Sequence, residues 1–256
     1  MIKFFRKIRQ NLLSEGKTGK YLKYAIGEIV LVVIGILIAL QINTWNENTQ
    51  KKEQEIAYYC KIKEDLQNDQ KNIQRSIESL DDRIFSAKNL LANLYKQIDD
   101  KSILINDYIP AIRSYHFIPS KAAIEDITSS GKLEILNKPQ LKTTILQHYS
   151  DLEYAMNVLK QNQQDFSKLS YKYDDKIGLG YHQIPLYKDY FGEELLKVMP
   201  NTNWQKDKEN IIFKQFQDHI SMSIIIGARE KELLKQINSS TEKLKLELEQ
   251  YCSNSN

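Results

Sequence analysis

The residues that could do chemistry in this 256-residue chain are few and far apart. Its four histidines lack the H-x3-H and HExxH spacings that place two zinc ligands on one face of a helix. They are His116, His148, His182 and His219. We therefore expect no metal site, and no motif in the sequence predicts a cofactor.

Other short motifs match catalytic signatures only in part. Ser129-Ser130-Gly131 is not the G-x-S-x-G turn of a hydrolase and is better suited to ending a helix. Gly178-Leu179-Gly180 lacks the third glycine of a dinucleotide-binding loop. The acidic pairs are Asp81-Asp82, Asp99-Asp100 and Asp174-Asp175. General acid–base catalysis needs a second group that the fold holds in position, and the sequence identifies none for these pairs. The sequence predicts no catalytic residues, and we expect a protein that is not an enzyme.

Residues 25–42 form an apolar run of 18 residues with a single charge, Glu28. About 20 apolar residues span the hydrocarbon core of a bilayer. Three interpretations compete: a buried core helix, a cleaved signal peptide and an uncleaved signal anchor. A core helix does not need the seven bases that precede the run, and a signal peptide should end in small residues at A-x-A spacing. The sequence favours the anchor, with Trp45 at the far interface.

The flanking charges predict the orientation of this anchor. The positive-inside rule puts residues 1–23 in the cytoplasm and the chain beyond about residue 45 across the membrane. Residues 1–23 either form a basic amphipathic helix in the headgroup layer or act only as a basic flank that sets orientation. In the rest of the chain the acids slightly outnumber the bases, so the basic pI does not support nucleic-acid binding.

Glu28, Gly35 and Ala39 project in nearly the same direction on a helix. Such a stripe of small and polar residues lets a second transmembrane helix approach closely, from a protein partner or from another copy of this chain. Three interpretations of Glu28 stay open: an acid that reaches water near the interface, a packing contact with another span, or a group coupled to ion movement.

Two stretches resemble a known family. The opening MIKFFRKIRQNLLSE and residues 24–47, YAIGEIVLVVIGILIALQINTWNE, closely resemble the N-terminus of a large family of uncharacterised bacterial single-pass inner-membrane proteins. Residues 43–46 read Asn-Thr-Trp-Asn where the family pattern has Asn-Asn-Trp-Asn. Residues 129–141, SSGKLEILNKPQL, are similar to the family's serine-glycine stretch before a long helix. The resemblance implies the location and the architecture, and it implies no activity because the family has none assigned.

The rest of the chain is typical of an all-α fold. Two series of residues seven apart predict long helices with coiled-coil-like seams: Tyr59, Leu66, Ile73, Leu80, Ala87, Leu94, and Phe213, Ile220, Gly227, Leu234, Thr241, Leu248. A shorter series predicts a third helix: Ile145, Leu152, Leu159, Phe166. We therefore expect an N-terminal transmembrane helix that continues into an elongated antiparallel helical bundle.

The predicted parts are a cytoplasmic segment, 1–23, a transmembrane helix, 24–45, and a periplasmic helical domain, 46–256. Within the domain, long helices are expected at about 46–100, 138–169 and 207–252. A short helix is expected at 120–129, with Ser120 as its N-cap and Gly131 just past its end. Another short helix, interrupted by Pro110, is expected at about 103–114.

Residues 171–204 concentrate glycines, prolines and aromatic residues. A loop of this length in a compact domain is usually functional or disordered, and its aromatic content argues against disorder. We expect an ordered loop packed on the bundle. Four of its tyrosines are candidates for a partner-binding surface: Tyr173, Tyr181, Tyr187 and Tyr190.

Cys60 and Cys252 are the only cysteines in the chain. Both lie beyond the predicted anchor, in a compartment where a disulfide can form. If the first and last long helices are antiparallel, residue 100 pairs with about residue 210, and the sum of paired residue numbers stays constant because both helices rise equally per residue. The two cysteines nearly satisfy that sum. We therefore expect their Cα atoms to lie within about 7 Å, which allows a bridge.

Taken together, these features predict a membrane-anchored helical interaction or scaffold module in the bacterial periplasm. Its expected partners are the bilayer and either another protein or a second copy bound through the transmembrane helix. Two alternatives stay open. One is a ligand-sensing module that signals through a partner, and the other is an enzyme with a site in residues 171–204.

Overall fold

A computed structural model describes residues 18–113, 117–172 and 175–253 of the chain, and all regular structure in these ranges is helical. The long helices are α1 (Thr18–Tyr95), α5 (Pro139–Tyr171) and α9 (Ile211–Cys252). The short ones are α2 (Ser102–Asn106), α3 (Tyr108–Ile112), α4 (Ala122–Ser129), α6 (Lys176–Leu179), α7 (Pro185–Phe191) and α8 (Glu193–Val198). Single 3-10 turns occur at Leu133–Ile135, Tyr181–Gln183 and Trp204–Lys206.

The chain divides into two units, Met1–Ala57 and Tyr58–Asn256. In the first unit, the described residues form the start of α1. Its apolar run has a mean hydropathy of 2.6 over its best 18-residue window, and none of that window is buried. Leu31, Leu37 and Ile42 are each more than half exposed. This helix is long and apolar enough to cross a membrane.

The second unit, which we call the body, has its core on the predicted heptad positions. All six heptad residues of α1 from Tyr59 to Leu94 are buried, as are the six of α9 from Phe213 to Leu248. The third series, on α5, is buried as well. The all-α bundle is therefore confirmed, because these three stripes face one another along the helices.

The buried apolar residues of the body form two separate clusters. The first, here called the heptad core, contains Tyr59 to Leu80 of α1, the buried faces of α4 and α5, and α9 from Leu234 to Leu248. The second, here called the aromatic core, contains Ala87, Leu90 and Leu94 of α1, and α9 from Ile212 to Ile220. It is completed by residues of the short segments, among them Leu104, Tyr108, Leu179, Ile184 and Trp204.

Several of the predicted helix ends differ from those observed, and helix α9 begins at Ile211, four residues after the predicted start at 207. Helix α1 ends at Tyr95, before the predicted residue 100, because Gln97 adopts a left-handed φ of 52°. Helix α4 begins at Ala122, and the Ser120 side chain is not its N-cap. At the other end of α4, Gly131 has a φ of 69° and stops the helix as predicted.

Residues 102–112 and 171–204 also differ in detail from their predictions. The chain at 102–112 forms two helices. Pro110 lies in the first turn of the second one, where a backbone N–H would have no partner within the helix, so its absence breaks no hydrogen bond. Residues 175–204, predicted as a loop, contain three short helices and a 3-10 turn. Helices of four to seven residues are too short to leave a periodic pattern in the sequence.

Candidate functional site

The predicted stripe on the apolar run is exposed at its two small residues. Gly35 and Ala39 are exposed, and Glu28 is half-buried. A Cβ added at Gly35 would meet no atom within 4 Å among the described residues. The surface at Gly35 is therefore sterically open to a second helix, and its use in packing remains a prediction.

The predicted cysteine pair lies at the end of the heptad core. Cys60 and Cys252 form a disulfide with their Cα atoms 5.6 Å apart. The neighbouring rings of Tyr59 and Tyr251 are 5.4 Å apart, and Lys138 Nζ lies 4.8 Å from the centre of the Tyr251 ring. The antiparallel register from which the pairing was predicted is the register observed.

The tyrosines predicted as a partner surface fall into three groups. Tyr173 lies outside the described residues. Tyr181 and Tyr187 are half-buried and pack against the aromatic core, where the Tyr181 hydroxyl lies 3.2 Å from that of Tyr108. Tyr190 is 88% exposed. Of the described three, Tyr190 alone is largely exposed, and its role in a partner surface remains a prediction.

Residues 175–206 are held on the body by buried polar contacts as well as apolar ones. The indole of Trp204 is buried, donates to the Leu179 carbonyl at 3.0 Å and packs on Phe216 at 5.1 Å. Lys101, which is 7% exposed, donates from Nζ to Asn201 Oδ1 at 2.8 Å and to the Thr202 carbonyl at 2.7 Å. Burial lowers the pKa of Lys101. Two cavities of about 440 Å³ adjoin this region, one lined by His182 and Lys188 and the other by Phe166 and Tyr181.

A buried polar layer separates the two apolar cores. Arg83 of α1 follows the last heptad-core residue of that helix, Leu80, and precedes the first aromatic-core residue, Ala87. Ser223 and Glu230 of α9 lie between Ile220 and Leu234, the corresponding limits on that helix. Both core clusters therefore stop at the same three polar side chains.

The centre of this layer is an ion pair. Arg83 Nη2 lies 3.4 Å from Glu230 Oε2, and the two side chains are 1% and 4% exposed. Arg83 Nη2 also donates to the Ser223 carbonyl at 3.2 Å, while Ser223 Oγ donates to the Ala111 carbonyl at 2.5 Å. Burial lowers the pKa of Arg83 and raises that of Glu230, and each charge opposes the shift of the other.

Helix α9 approaches this ion pair closely at Gly227. A Cβ at that position would come within 3.0 Å of Arg83 Nη2 and of Ile84 Cγ1. A side chain at this heptad position would therefore be tight, and the Arg83 guanidinium and the Ile84 side chain would have to shift by a few tenths of an ångström to admit it. The sequence pattern alone gave Gly227 no distinct role.

Aromatic rings connect the ion pair with the aromatic core. The Arg83 guanidinium lies 5.6 Å from the centre of the Phe166 ring, which packs on His219 at 4.7 Å. His219 Nδ1 lies 2.9 Å from the hydroxyl of Tyr108. Burial lowers the pKa of His219 to about 4, so its imidazole is neutral near pH 7.

A cavity of about 440 Å³ adjoins the polar layer on the side of the heptad core. Its walls are mainly apolar and come from α1, α5, α9 and the segment before α4: Leu80, Phe117, Ile118, Met156, Leu159 and Leu234. Glu230 also lines it, together with Ser76, Asn157, Lys160 and Gln163. Glu230 Oε1 is buried and finds no hydrogen-bond partner among the described residues.

Comparison with protein families gives one match. A family model described as a family of unknown function, DUF6090, matches residues 28–173, which is more than half of the chain. The chain belongs to this family. No curated protein and no solved structure matches it. Of the polar layer, Arg83 lies inside the region that matches the DUF6090 model, whereas Ser223 and Glu230 lie beyond it.

The DUF6090-matched region also contains two aspartates that hold the start of α4. Asp65 Oδ2 accepts a hydrogen bond from the Ala123 N–H at 2.9 Å, and Asp69 Oδ1 accepts one from the Ser120 N–H at 2.6 Å. These carboxylates on α1 satisfy backbone donors that an N-cap side chain would otherwise take, which explains why Ser120 does not cap the helix. Burial raises the pKa of Asp69 to about 6.

The histidines do not come together. His148 lies near Ser240, His182 lies in the segment between α6 and α7, and His219 lies beside Tyr108 of the aromatic core. His116 is outside the described residues. Within residues 18–113, 117–172 and 175–253, no group of three or more His, Cys, Asp or Glu side chains is arranged to hold a metal ion.

The polar layer was missed by sequence reasoning because polar residues in a heptad are usually assigned to solvent. Asp69, Ser76 and Arg83 fall on a second buried stripe of α1 that begins at Ile62 and ends at Leu90, in steps of seven. Ser223 and Glu230 continue the steps of seven from Phe216 to Ile237 on α9. Each stripe begins and ends with apolar residues, and from that pattern the polar residues between them could have been predicted to be buried.

Proposed function

We propose that this chain is a single-pass protein of the bacterial inner membrane whose body serves as an anchored interaction or scaffold module in the periplasm. The observation that carries the proposal is α1, a 78-residue helix that contains both the apolar run and the first buried stripe of the body. Residues 1–23 are assigned to the cytoplasm by their basic charges. The oxidising compartment that this orientation implies agrees with the disulfide between Cys60 and Cys252.

The geometry of residues 175–206 favours a scaffold over an enzyme. An active site in this segment would need a cleft with converging acids or histidines. Two cavities adjoin the segment, but among the described residues that line them there is no acid and a single histidine, His182. Trp204, Ile184 and Leu179 are packed in the aromatic core, and the buried Lys101 is bound by an amide and a carbonyl. These contacts position the segment as a surface of fixed shape.

Topology fusions test the anchor. Alkaline phosphatase, which needs an oxidising compartment, should be active when fused after residue 60 and inactive when fused before residue 20. The opposite pattern would refute the orientation. Mature protein that begins near residue 40 would show a cleaved signal peptide instead, and N-terminal sequencing would detect it.

A partner bound through the span can be tested in the same cells. Replacing Gly35 and Ala39 by leucine should abolish any association through the transmembrane helix because bulky side chains prevent close approach. Gly27→Leu is a matched control, since Gly27 lies about 80° away around the helix and is equally open, with no atom within 4 Å of an added Cβ. Crosslinking followed by mass spectrometry would identify the partner, and association that survives the double substitution would exclude the stripe.

A ligand-sensing module is the second candidate, and the cavity beside Glu230 favours it. Its walls belong to three long helices, so an occupant would contact all three at once. A sensor of this form would signal through a partner protein.

A further inference from the structure

The cavity beside the polar layer combines two features that point to a ligand. Most of its wall is apolar, which favours an occupant that removes those side chains from water. At one point the wall carries Glu230, a side chain that is 4% exposed and whose Oε1 finds no partner among the described residues. A buried acceptor without a donor raises the free energy of the folded protein. A ligand that supplies the donor therefore binds more tightly than burial of its apolar area alone would predict.

The charges around the cavity indicate what kind of donor this is. Glu230 Oε2 is already paired with the Arg83 guanidinium. Lys160, on α5, also lines the cavity. The described lining thus carries one positive and one negative charge, and Arg83 already compensates the negative one, so a cationic ligand would add an uncompensated charge. A neutral hydroxyl or amide N–H satisfies the free oxygen without adding a charge.

We propose that this cavity binds a neutral amphipathic small molecule, whose apolar part lies against Leu80, Met156 and Leu234 and whose hydroxyl or amide donates to Glu230 Oε1. The cavity volume of about 440 Å³ is enough for an aliphatic or ring-containing body of moderate size. Bound between α1, α5 and α9, this molecule supplies the hydrogen-bond donor that Glu230 Oε1 lacks among the described residues. Its contacts also link the heptad core to the polar layer.

This assignment does not depend on the membrane anchor, because every residue involved belongs to the body. Topology fusions measure anchoring and the experiment below measures binding, so one proposal can fail without the other.

Methionine methyl NMR of the full chain in lipid nanodiscs tests the proposal. Met156 lines the cavity, while Met199 and Met222 do not, so they report non-specific effects of the probe on the same sample. The probes are 1-octanol and 1-methoxyheptane, which have the same heavy-atom count but differ in the hydroxyl donor. Octanol should shift the Met156 resonance saturably, and the ether should bind about tenfold more weakly because it cannot donate to a carboxylate. Octylammonium should also bind more weakly than octanol.

Two variants locate the site. Glu230→Gln should weaken octanol binding about tenfold and leave the ether unaffected. Because this change also breaks a buried ion pair and can prevent folding, Ser76→Leu provides a second test. The larger side chain fills part of the cavity, while Arg83 and Glu230 are left unmutated. Asn89→Leu, at an exposed position of the same helix, is the matched control and should bind octanol as the wild type does.

Equal affinities for octanol and the ether would overturn the role of Glu230 Oε1. An unshifted Met156 resonance, or a shift that persists in Ser76→Leu, would overturn the cavity as the binding site.

Discussion

The heptad core and the aromatic core are built from the same two long helices, yet they are closed in different ways. The heptad core is covered by α4 and α5 and ends at a covalent bond, Cys60–Cys252. The aromatic core is covered by short helices and 3-10 turns whose side chains include Tyr108 and Trp204. One core thus depends on regular helix packing and a crosslink, and the other on a few large rings and buried hydrogen bonds.

This difference leads us to expect that the aromatic core is the part of the body that can open. Its covering segments are short and none of them is stable as an isolated helix. The heptad core is made of long helices with a bridge at one end, so local opening there requires most of the core to unfold.

Removing the disulfide should have the largest effect and should act on the heptad core. The bridge joins residues 192 apart in sequence, and on the chain-entropy model a loop of this length contributes about 5 kcal/mol to the free energy of unfolding. Cys60→Ser should lower the denaturation midpoint by the corresponding amount. Chemical denaturation followed by circular dichroism measures this, with reduced wild-type protein as the control. Two free thiols in non-reduced peptides would contradict the bridge itself.

Trp204→Ala should destabilise the aromatic core by about 4 kcal/mol, since it removes a fully buried ring and leaves a cavity. Limited trypsin digestion should then cut after Lys176 and Lys188 much faster than in the wild type, while the heptad core stays resistant. Trp45→Ala is the matched control because that side chain is 71% exposed. If both variants resisted trypsin equally, the covering segments would not depend on Trp204.

The aromatic core should weaken in acid through His219. Its folded-state pKa is about 4, below the usual value near 6.5. Between these two pH values the histidine is protonated in the unfolded chain and neutral in the folded body. The free energy of unfolding should therefore fall by about 3 kcal/mol as the pH drops from 6.5 to 4. His219→Gln should remove this part of the pH dependence. An unchanged pH profile in that variant would show that His219 is not the responsible group.

The heptad core should respond to pH in the opposite direction through Asp69. Its folded-state pKa is raised to about 6, so the folded body holds a proton that the unfolded chain has already lost. Stability from this group is present below about pH 4 and is lost as the pH rises to 6, by about 3 kcal/mol. Unfolding of Asp69→Asn should lack this decrease, whereas Asp82→Asn, at an exposed position of the same helix, should keep it.

The heptad core was also the more predictable of the two from sequence. Steps of seven identified the buried residues on α1, α5 and α9, and equal helical rise was enough to pair Cys60 with Cys252. The aromatic composition of residues 171–204 indicated that they pack on the body, but it could not give their short helices. Side chains such as Lys101 and Trp204 are placed there by contacts far apart in sequence, with Asn201 and with Leu179.

The polar layer lay beyond prediction for a related reason. A pattern of apolar residues predicts which face of a helix is buried, but Arg83 and Glu230 are buried as an ion pair across two helices, and Arg83 also donates to the Ser223 carbonyl. Each of these residues alone is typical of a solvent-exposed face. Only the register between α1 and α9 brings them together, and that register was used for the cysteines and not for the residues in between.

The smallest effect on stability is expected at Tyr190, and there the comparison between the cores bears on function. Its ring is 88% exposed, so Tyr190→Ala should leave the denaturation midpoint of the body unchanged. Tyr187→Ala is the matched variant in the same helix, and it should lower the midpoint because its ring packs against the aromatic core. If the covering segments of the aromatic core form the partner surface, Tyr190→Ala should reduce the yield of crosslinked partner in cells while the amount of folded protein stays the same. If the yield of crosslinked partner were unchanged in Tyr190→Ala and lost only in Gly35→Leu/Ala39→Leu, the partner would bind the apolar run and not the segments that cover the aromatic core.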